Sequence, residues 1–189
     1  MRIIAGTARG RRIEAPKGLN TRPTLDRVRE NLFNILQMKT RDSRVLDLFA
    51  GSGALSLEAL SRGAEHAVLV DIDRDAHRIQ KKNLETLGFS DRAELFLCDW
   101  QKAAAELHAQ GRKFDLIFLD PPYRMTDLRD VFAATAKLAA DDGLVILEHE
   151  GRAETETGDT FIKKDERRWG YCGVSFYRKR NETNTGGIP

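Results

Sequence analysis

Residues 45–55, Val-Leu-Asp-Leu-Phe-Ala-Gly-Ser-Gly-Ala-Leu, decide the fold of this chain. The segment begins as a short apolar strand, passes through Gly51-Ser-Gly53 and continues into a helix. Glycines at such a turn let the backbone bend tightly and let a ligand approach closely, because no Cβ is in the way. The segment therefore predicts a ligand-binding loop at the start of an α/β fold.

Downstream of this loop, short apolar strands alternate with helices. This alternation predicts a mostly parallel sheet with helices on both faces. Two later strands with no helix between them predict an antiparallel hairpin at one edge, joined by residues 165–170. The predicted strands cover residues 45–48, 67–70, 93–97, 114–119, 143–147, 160–164 and 173–179, and the helices cover 54–61, 76–87, 101–109 and 127–139.

The first 40 residues precede this pattern and are basic. Ile3, Ile4 and Ile13 flank a glycine-containing turn, which predicts a short hairpin. A helix capped by Thr24 follows over about residues 25–39. Its apolar stripe comprises Val28, Leu32, Ile35 and Leu36.

Residues 1–30 contain eight basic and three acidic residues, although the formal net charge of the chain is only +2. Such a basic end predicts contact with a polyanion, and a solvated arm is the alternative. Arg22, Arg27 and Arg29 lie off the apolar stripe of the helix, so we expect their side chains to be free for solvent or phosphate. The candidate phosphate-binding residues are Arg9, Arg11, Arg12, Arg22, Arg27 and Arg29.

Length and composition limit the class of protein. With 189 residues the chain fits one domain, in which we expect a basic extension over 1–40, a main body over 41–180 and a disordered tail over 181–189. No apolar run is long enough to span a bilayer, and no signal peptide is visible. Cys98 and Cys172 lack metal-ligand spacing. We therefore expect a cytoplasmic protein without a metal.

Acidic residues at successive strand ends predict which ligand the loop binds. Asp47 lies in the first strand, where a carboxylate can meet the positively charged amino-acid end of S-adenosylmethionine. Asp71 is placed for ribose hydroxyls and Asp99 for the adenine amino group. Ser56 replaces the third glycine of a dinucleotide fingerprint, although a nicotinamide-nucleotide site stays open on this segment. The candidate donor-binding residues are Asp47, Phe49, Gly51, Gly53, Asp71, Ile72, Asp99 and Trp100.

Asp120-Pro-Pro-Tyr123 follows the most apolar strand and is the most specific motif in the sequence. The exocyclic amino group of a base is a poor nucleophile, because its lone pair is delocalised into the ring. The Asp120 carboxylate and the Pro121 carbonyl can hold the nitrogen as it attacks a methyl group, with the backbone fixed by Pro121 and Pro122. Tyr123 offers a face on which a flipped base stacks. The motif predicts N-methylation of a nucleic-acid base.

The chain resembles the RsmD family, bacterial methyltransferases that act on the N2 amine of a guanine in 16S ribosomal RNA. The resemblance implies a Rossmann-like class I S-adenosylmethionine methyltransferase with seven strands, the last antiparallel, and guanine 966 of the small-subunit RNA as target. Asp71 stands where a longer Glu is usual, and Trp100 stands where a small residue is common. The matching segments are 2–6, 22–30, 32–36, 47–54, 58–64 and 114–123.

Three other functions compete with this interpretation. A DNA methyltransferase acting on adenine N6 or cytosine N4 uses the same motif, but it usually carries additional sequence that reads a DNA site. A non-catalytic RNA-binding assembly factor would not need both the donor loop and the motif. A nicotinamide oxidoreductase has no use for Asp-Pro-Pro-Tyr. We therefore expect an S-adenosylmethionine-dependent enzyme, releasing S-adenosylhomocysteine, whose partner is 16S RNA in the small ribosomal subunit and which is a monomer.

Overall fold

The structure, a computed structural model, describes residues 1–15, 23–122, 124–151 and 155–180. The predictions for Arg22, Tyr123 and the tail 181–189 lie outside the described residues, as does the side-chain cap predicted at Thr24. Within the described ranges, no helix is long and apolar enough to cross a membrane.

The described chain forms one seven-stranded sheet covered by helices. The strand order is β3-β2-β1-β4-β5-β7-β6, and β7 runs antiparallel to both of its neighbours. The predicted fold class is thereby confirmed. The helices are α1 (Pro23–Thr40), α2 (Ala54–Ser61), α3 (Arg74–Leu87), α4 (Trp100–Ala109) and α5 (Arg129–Leu138), and the strands are β1 (Arg44–Asp47), β2 (His66–Asp71), β3 (Ala93–Leu97), β4 (Phe114–Leu119), β5 (Ala139–Glu150), β6 (Phe161–Trp169) and β7 (Cys172–Lys179).

Both faces of the sheet carry an apolar core, as a parallel sheet requires. On one face the strands pack against the N-terminal hairpin, α1, α2 and α3. On the other face they pack against α4 and α5. Successive residues of each strand therefore point into opposite cores. This alternation also determines which face of the sheet a residue at the end of a strand points to.

The second half of the fold departs from the predicted boundaries. Helix α5 ends at Leu138, and β5 begins directly at Ala139 with an irregularity in its pairing to β4. Strand β6 continues to Trp169, so the predicted loop over 165–170 is mostly strand. The turn to β7 consists of Gly170 and Tyr171 alone.

The N-terminal hairpin docks on α2. It has one bridge, between Arg2 and Arg12. The carboxylate of Glu58, a fully buried residue, accepts hydrogen bonds from the backbone N–H groups of Ile4 and Ala5 at 2.8 and 3.0 Å. A Cβ on Gly6 would lie 1.8 Å from the Ser61 carbonyl oxygen, so only glycine fits there. The basic extension is thus packed into the same core as the sheet.

Helix α1 turns inward three of the four residues of the predicted stripe, and its buried face is wider than predicted. Arg29 and Phe33 are buried, whereas 46% of Ile35 is exposed. Arg29 and Phe33 are four residues apart, so they lie on one side of the helix and enter the core together. The prediction that Arg29 is free for solvent or phosphate is therefore wrong.

Candidate functional site

An open cleft lies at the carboxyl edge of the sheet, where the strand order reverses between β1 and β4. Ligands of open α/β sheets bind at this kind of switch point. The cleft is walled on one side by strand ends and on the other by the N-terminal segment and α1. Its charged lining residues are Arg29, Asp47, Asp120 and Glu148, and its other lining residues include Met1, Leu32, Phe49, Gly51 and Ser52.

Asp47 is a buried carboxylate that is only half satisfied. Its Oδ2 accepts a hydrogen bond from the Ser56 hydroxyl at 3.1 Å, but Oδ1 has no partner among the described residues. Burial raises the pKa of Asp47 to about 7, against the lowering effect of Ser56 and the Phe49 N–H. A buried acceptor without a donor is costly, so this atom suits a ligand that brings a cationic N–H.

Asp120 and Glu148 are neighbours in the same cleft. Leu119 of β4 pairs with Leu147 of β5, so the next residue on each strand is Asp120 or Glu148. Asp120 is exposed to the open cleft, where desolvation by the surrounding walls together with the charges of Glu148 and Asp47 raises its pKa well above the usual range. Desolvation also raises the pKa of Glu148. Three carboxylates crowded in this way favour a bound cation.

Arg29 supplies the positive charge on the opposite wall. Its guanidinium donates to the Arg2 carbonyl at 2.6 Å and to Asp26 at 3.1 Å, and its Nε lies 3.8 Å from Glu58. The Nε atom is buried without a hydrogen-bond partner in the described chain. Arg29 thus ties the hairpin to α1 and places a cation beside the cleft.

The loop between β1 and α2 is shaped by two glycines and supported by α3. Gly51 and Gly53 have positive φ angles of 52° and 79°, and a Cβ on Gly53 would lie 2.8 Å from Leu69. The Gln80 amide donates to the Gly51 carbonyl at 2.9 Å. Asn83 donates to the Ser52 carbonyl at 3.1 Å. It also exchanges hydrogen bonds with the backbone of Glu14, which joins the N-terminal segment to the loop.

The predicted adenosine-binding residues lie on the open side of the same sheet edge. Asp71 accepts from the N–H groups of Gly51 and Asp73 at 2.7 and 2.9 Å. Asp99 caps α4 by accepting from Lys102 N–H at 2.8 Å. Ile72 is 73% exposed. Trp100 is partly buried against the core on the α4 side.

The basic candidates on the hairpin and α1 separate into two groups. Arg9, Arg12 and Arg27 are exposed. Arg11 donates to the carbonyls of Thr86 and Leu87 at the end of α3, so it anchors the hairpin. Cations are favourable at a helix C-terminus.

His149 and the two cysteines lie outside the lining of the cleft. His149 is buried between the Ser175 hydroxyl and the Glu150 carbonyl, each at 2.9 Å. Cys98 and Cys172 are free thiols. Among the described residues no group of three or more His, Cys, Asp or Glu could hold a metal ion.

The sequence did not predict Glu148 and Asn83 as site residues, and it predicted Arg29 as a phosphate-binding residue instead of a lining residue of the cleft. Glu148 stands in the segment Leu147-Glu-His-Glu150, at the carboxyl end of β5. The signal for Glu148 was its place at the end of an apolar strand, in the same position as Asp120 on the neighbouring strand.

Comparisons with known proteins find close relatives. A family model described as conserved hypothetical protein 95 matches residues 1–178. The chain is 39% identical to "Putative rRNA methyltransferase YlbH" of Bacillus subtilis, over 95% of this chain and 100% of that protein. It is 41% identical to "Ribosomal RNA small subunit methyltransferase D" of Escherichia coli, over 76% and 68% of the two chains. The solved structure "Putative methyltransferase yhhF from Escherichia coli" is similar with a TM-score of 0.78 and 34% identity, over 96% and 99% of the two chains.

Proposed function

The chain belongs to the RsmD family, described as conserved hypothetical protein 95, and from this premise we propose that it methylates the N2 amine of guanine 966 in small-subunit ribosomal RNA, with S-adenosylmethionine as donor. The observation that carries the proposal is the cleft at the β1–β4 switch point. Three carboxylates converge there beside a loop with two glycines in the left-handed region.

The buried lining of the cleft fits the amino-acid end of the donor. That end carries an ammonium group, a carboxylate and a sulfonium, all within a few bonds. Asp47 Oδ1 would accept from the ammonium, and the Arg29 guanidinium would face the carboxylate. The positive sulfonium would lie near the carboxylates of Asp120 and Glu148, which follow paired residues of adjacent strands and both line the cleft.

The exposed residues of the same edge fit the adenosine end. A carboxylate oxygen can accept more than one hydrogen bond, so Asp71 and Asp99 can still accept from the ribose and the adenine amine. Ile72 would pack on the adenine face, and Phe49 and Trp100 would border the ring. Gly51 and Gly53 keep the loop free of Cβ atoms where the donor passes.

Asp120 and the Pro121 carbonyl would hold the amine during transfer. The donor supplies an electrophilic methyl carbon: a C–N bond forms, the C–S bond breaks with its electrons going to sulfur, and the product amine releases a proton to a carboxylate or to water. The residues align the nitrogen and stabilise its developing positive charge. The rigid Pro121-Pro122 segment holds this geometry, and Tyr123 is proposed to stack on the base.

The exposed arginines of the hairpin and α1 would hold RNA phosphates. Arg9, Arg12 and Arg27 remain candidates, together with Arg22. Because the hairpin is packed against α2, an RNA bound to it would be held in a fixed position relative to the cleft. We propose that residues 1–40 form an RNA-binding extension of the 41–180 methyltransferase domain and that a monomer acts on the small ribosomal subunit.

The test is methyl transfer from labelled S-adenosylmethionine to small ribosomal subunits lacking the modification, with double-stranded DNA in parallel. The methylated nucleoside is then identified by mass spectrometry. We expect N2-methylguanosine in the RNA. Methyladenine or methylcytosine in the DNA would instead establish the DNA methyltransferase, and no product from either substrate would favour the non-catalytic assembly factor.

A second test addresses the RNA surface. We expect the double substitution Arg9→Glu and Arg12→Glu to weaken RNA binding and to lower its salt dependence by about one to two units of log K per log salt. The matched control is Arg41→Glu, since Arg41 is exposed and precedes β1 at the opposite edge of the sheet. An unchanged salt slope in the double variant would remove the hairpin from the RNA interface.

A further inference from the structure

Glu148 is a carboxylate on the cleft wall, and the methyl transfer described above assigns it no contact with the base. It follows Leu147, which pairs with Leu119, so Glu148 and Asp120 extend side by side from adjacent parallel strands. Adjacent strands are about 4.8 Å apart, and residues in register point to the same side of a sheet. The two carboxylates therefore present a pair of acceptors to whatever enters the cleft.

Glu148 also lies at the boundary between the donor cleft and a smaller groove. It lines the donor cleft together with Asp47 and Asp120, and it lines a smaller groove beside Pro121 and Pro122. A base whose amine reaches Asp120 and Pro121 must approach along this boundary. Glu148 is therefore placed to contact the edge of the base next to the reacting amine.

The hydrogen-bonding groups next to the amine differ between bases. Guanine presents the N1–H donor beside its N2 amine. Adenine presents the N1 acceptor beside its N6 amine, and cytosine presents the N3 acceptor beside its N4 amine. An ionised carboxylate only accepts, so a pair of carboxylates complements the two donors of guanine and opposes the acceptor of adenine or cytosine.

We propose that Glu148 selects guanine, its carboxylate accepting N1–H while Asp120 accepts from the N2 amine. The inference rests on the proposed function and adds to it the residue that distinguishes guanine from the other bases with an exocyclic amine. It also explains how a site with Asp-Pro-Pro-Tyr, a motif shared with enzymes that act on adenine, can be restricted to guanine.

The charged and polar groups around Glu148 determine whether its carboxylate is ionised when the base binds. Asp120 and Asp47 share its cleft, Cys172 donates to its Oε1 at 3.3 Å, and His149 is its chain neighbour. Carboxylates close together resist joint ionisation, and a cation between them reverses this. Binding of the sulfonium donor would keep both Asp120 and Glu148 ionised when the base arrives.

A merely structural Glu148 would behave differently. Its contact with the Cys172 thiol could hold the end of β5 against β7 without any part in base selection. The substitution Glu148→Gln separates the two roles. Glutamine keeps an oxygen that can accept from Cys172, and it turns an amide N–H₂ donor toward the cleft.

The experiment compares two bases that carry the same amine. Small subunits are reconstituted with 16S RNA containing guanosine or 2-aminopurine riboside at position 966, and single-turnover methylation rates are measured. 2-Aminopurine keeps the N2 amine and has an acceptor in place of N1–H. We expect the wild-type protein to prefer guanosine by roughly 10- to 100-fold, the loss typical of one hydrogen bond to a charged group. We expect Glu148→Gln to lower this ratio to about 1 or below.

Glu148→Ala and Glu148→Asp are measured in the same way, and Glu65→Gln serves as the matched control because Glu65 is exposed at the opposite end of β2. Thermal unfolding and S-adenosylhomocysteine affinity report on folding of each variant. A guanosine preference that is unchanged in the Glu148 variants would overturn the inference, as would wild-type protein that methylates both bases equally. Absence of any methylguanosine with wild-type protein would instead refute the proposed function.

Discussion

The cleft at the carboxyl edge has two halves that differ in how their charges are satisfied. The buried half contains Arg29 and Asp47, which are buried, together with the half-buried Glu148 and with Asp120, which is exposed to the open cleft. Its carboxylates have few donors and raised pKa values. The exposed half contains the exposed residues Ile72 and Asp99 together with the half-buried Asp71. There Asp71 and Asp99 accept backbone N–H groups and are open to solvent on one side.

This difference predicts which half contributes more to donor affinity and to the chemical step. A buried charge without a partner gains much from a ligand of opposite charge, because the ligand relieves a desolvation cost that the folded protein already bears. An exposed carboxylate that is hydrogen-bonded gains little. We therefore expect the buried half to determine the chemistry and most of the donor affinity, and the exposed half to add a smaller, apolar share.

The largest effect is expected from Asp120→Ala. Loss of the acceptor for the amine should lower the single-turnover methylation rate by about 10³-fold or more. The donor affinity should change only a few-fold, because Asp120 is assigned to the base. Isothermal titration with S-adenosylhomocysteine measures the affinity, and a large loss of affinity would contradict the assigned role.

Asp47→Asn should act on binding instead of on the chemical step. We expect affinity for S-adenosylhomocysteine to fall by roughly 10- to 100-fold, since the ammonium loses a charged acceptor. The ligand ammonium needs an ionised Asp47, whose pKa in the empty protein is raised to about 7. The wild-type affinity should therefore weaken as pH falls below 7, and this dependence should disappear in the variant.

The same substitution should stabilise the empty protein. The pKa of Asp47 is about 7 in the folded state and near 3.8 in the unfolded chain, so the folded state binds the proton more tightly. Wild-type stability then decreases as pH rises from about 4 to 7. Urea unfolding at pH 8 should show Asp47→Asn to be more stable than wild type, and a less stable variant would contradict the assigned burial cost.

Arg29→Met tests the cation of the buried half. We expect about a tenfold loss of affinity for S-adenosylhomocysteine and almost none for its decarboxylated analogue, because only the former has a carboxylate to face Arg29. Asp26→Asn is the control, since it removes an ion-pair partner of Arg29 outside the cleft. Equal losses for both ligands would assign Arg29 to the anchoring of the hairpin alone.

The smallest effect is expected in the exposed half. Ile72→Ala should weaken S-adenosylhomocysteine binding about fivefold through lost contact with adenine, which corresponds to about 1 kcal/mol. Its stability should stay within about 0.5 kcal/mol of wild type, as is usual for an exposed position. Met38→Ala is the control because Met38 is 86% exposed on α1. A loss of affinity larger than that of Asp47→Asn would reverse the division between the two halves.

The exposed half could be predicted from the sequence more completely than the buried half. Asp71 and Asp99 each follow an apolar strand, and strand ends of a parallel sheet meet at one edge whatever the exact register. The positions of Glu148 and Arg29 were harder to predict. The position of Glu148 depends on the register between β4 and β5, and that of Arg29 depends on which residues of α1 face inward. Phe33, four residues after Arg29, was the local signal for that stripe, but a charged residue in a core position runs against the usual pattern.

The division of the cleft is tested most directly by a crystal structure of the protein with S-adenosylhomocysteine bound. We expect the ligand ammonium on Asp47 Oδ1, the ligand carboxylate toward Arg29 and the adenine on Ile72, with the sulfur beside Asp120. A ligand that binds elsewhere, or one whose amino-acid end lies in the exposed half with adenine in the buried half, would contradict it.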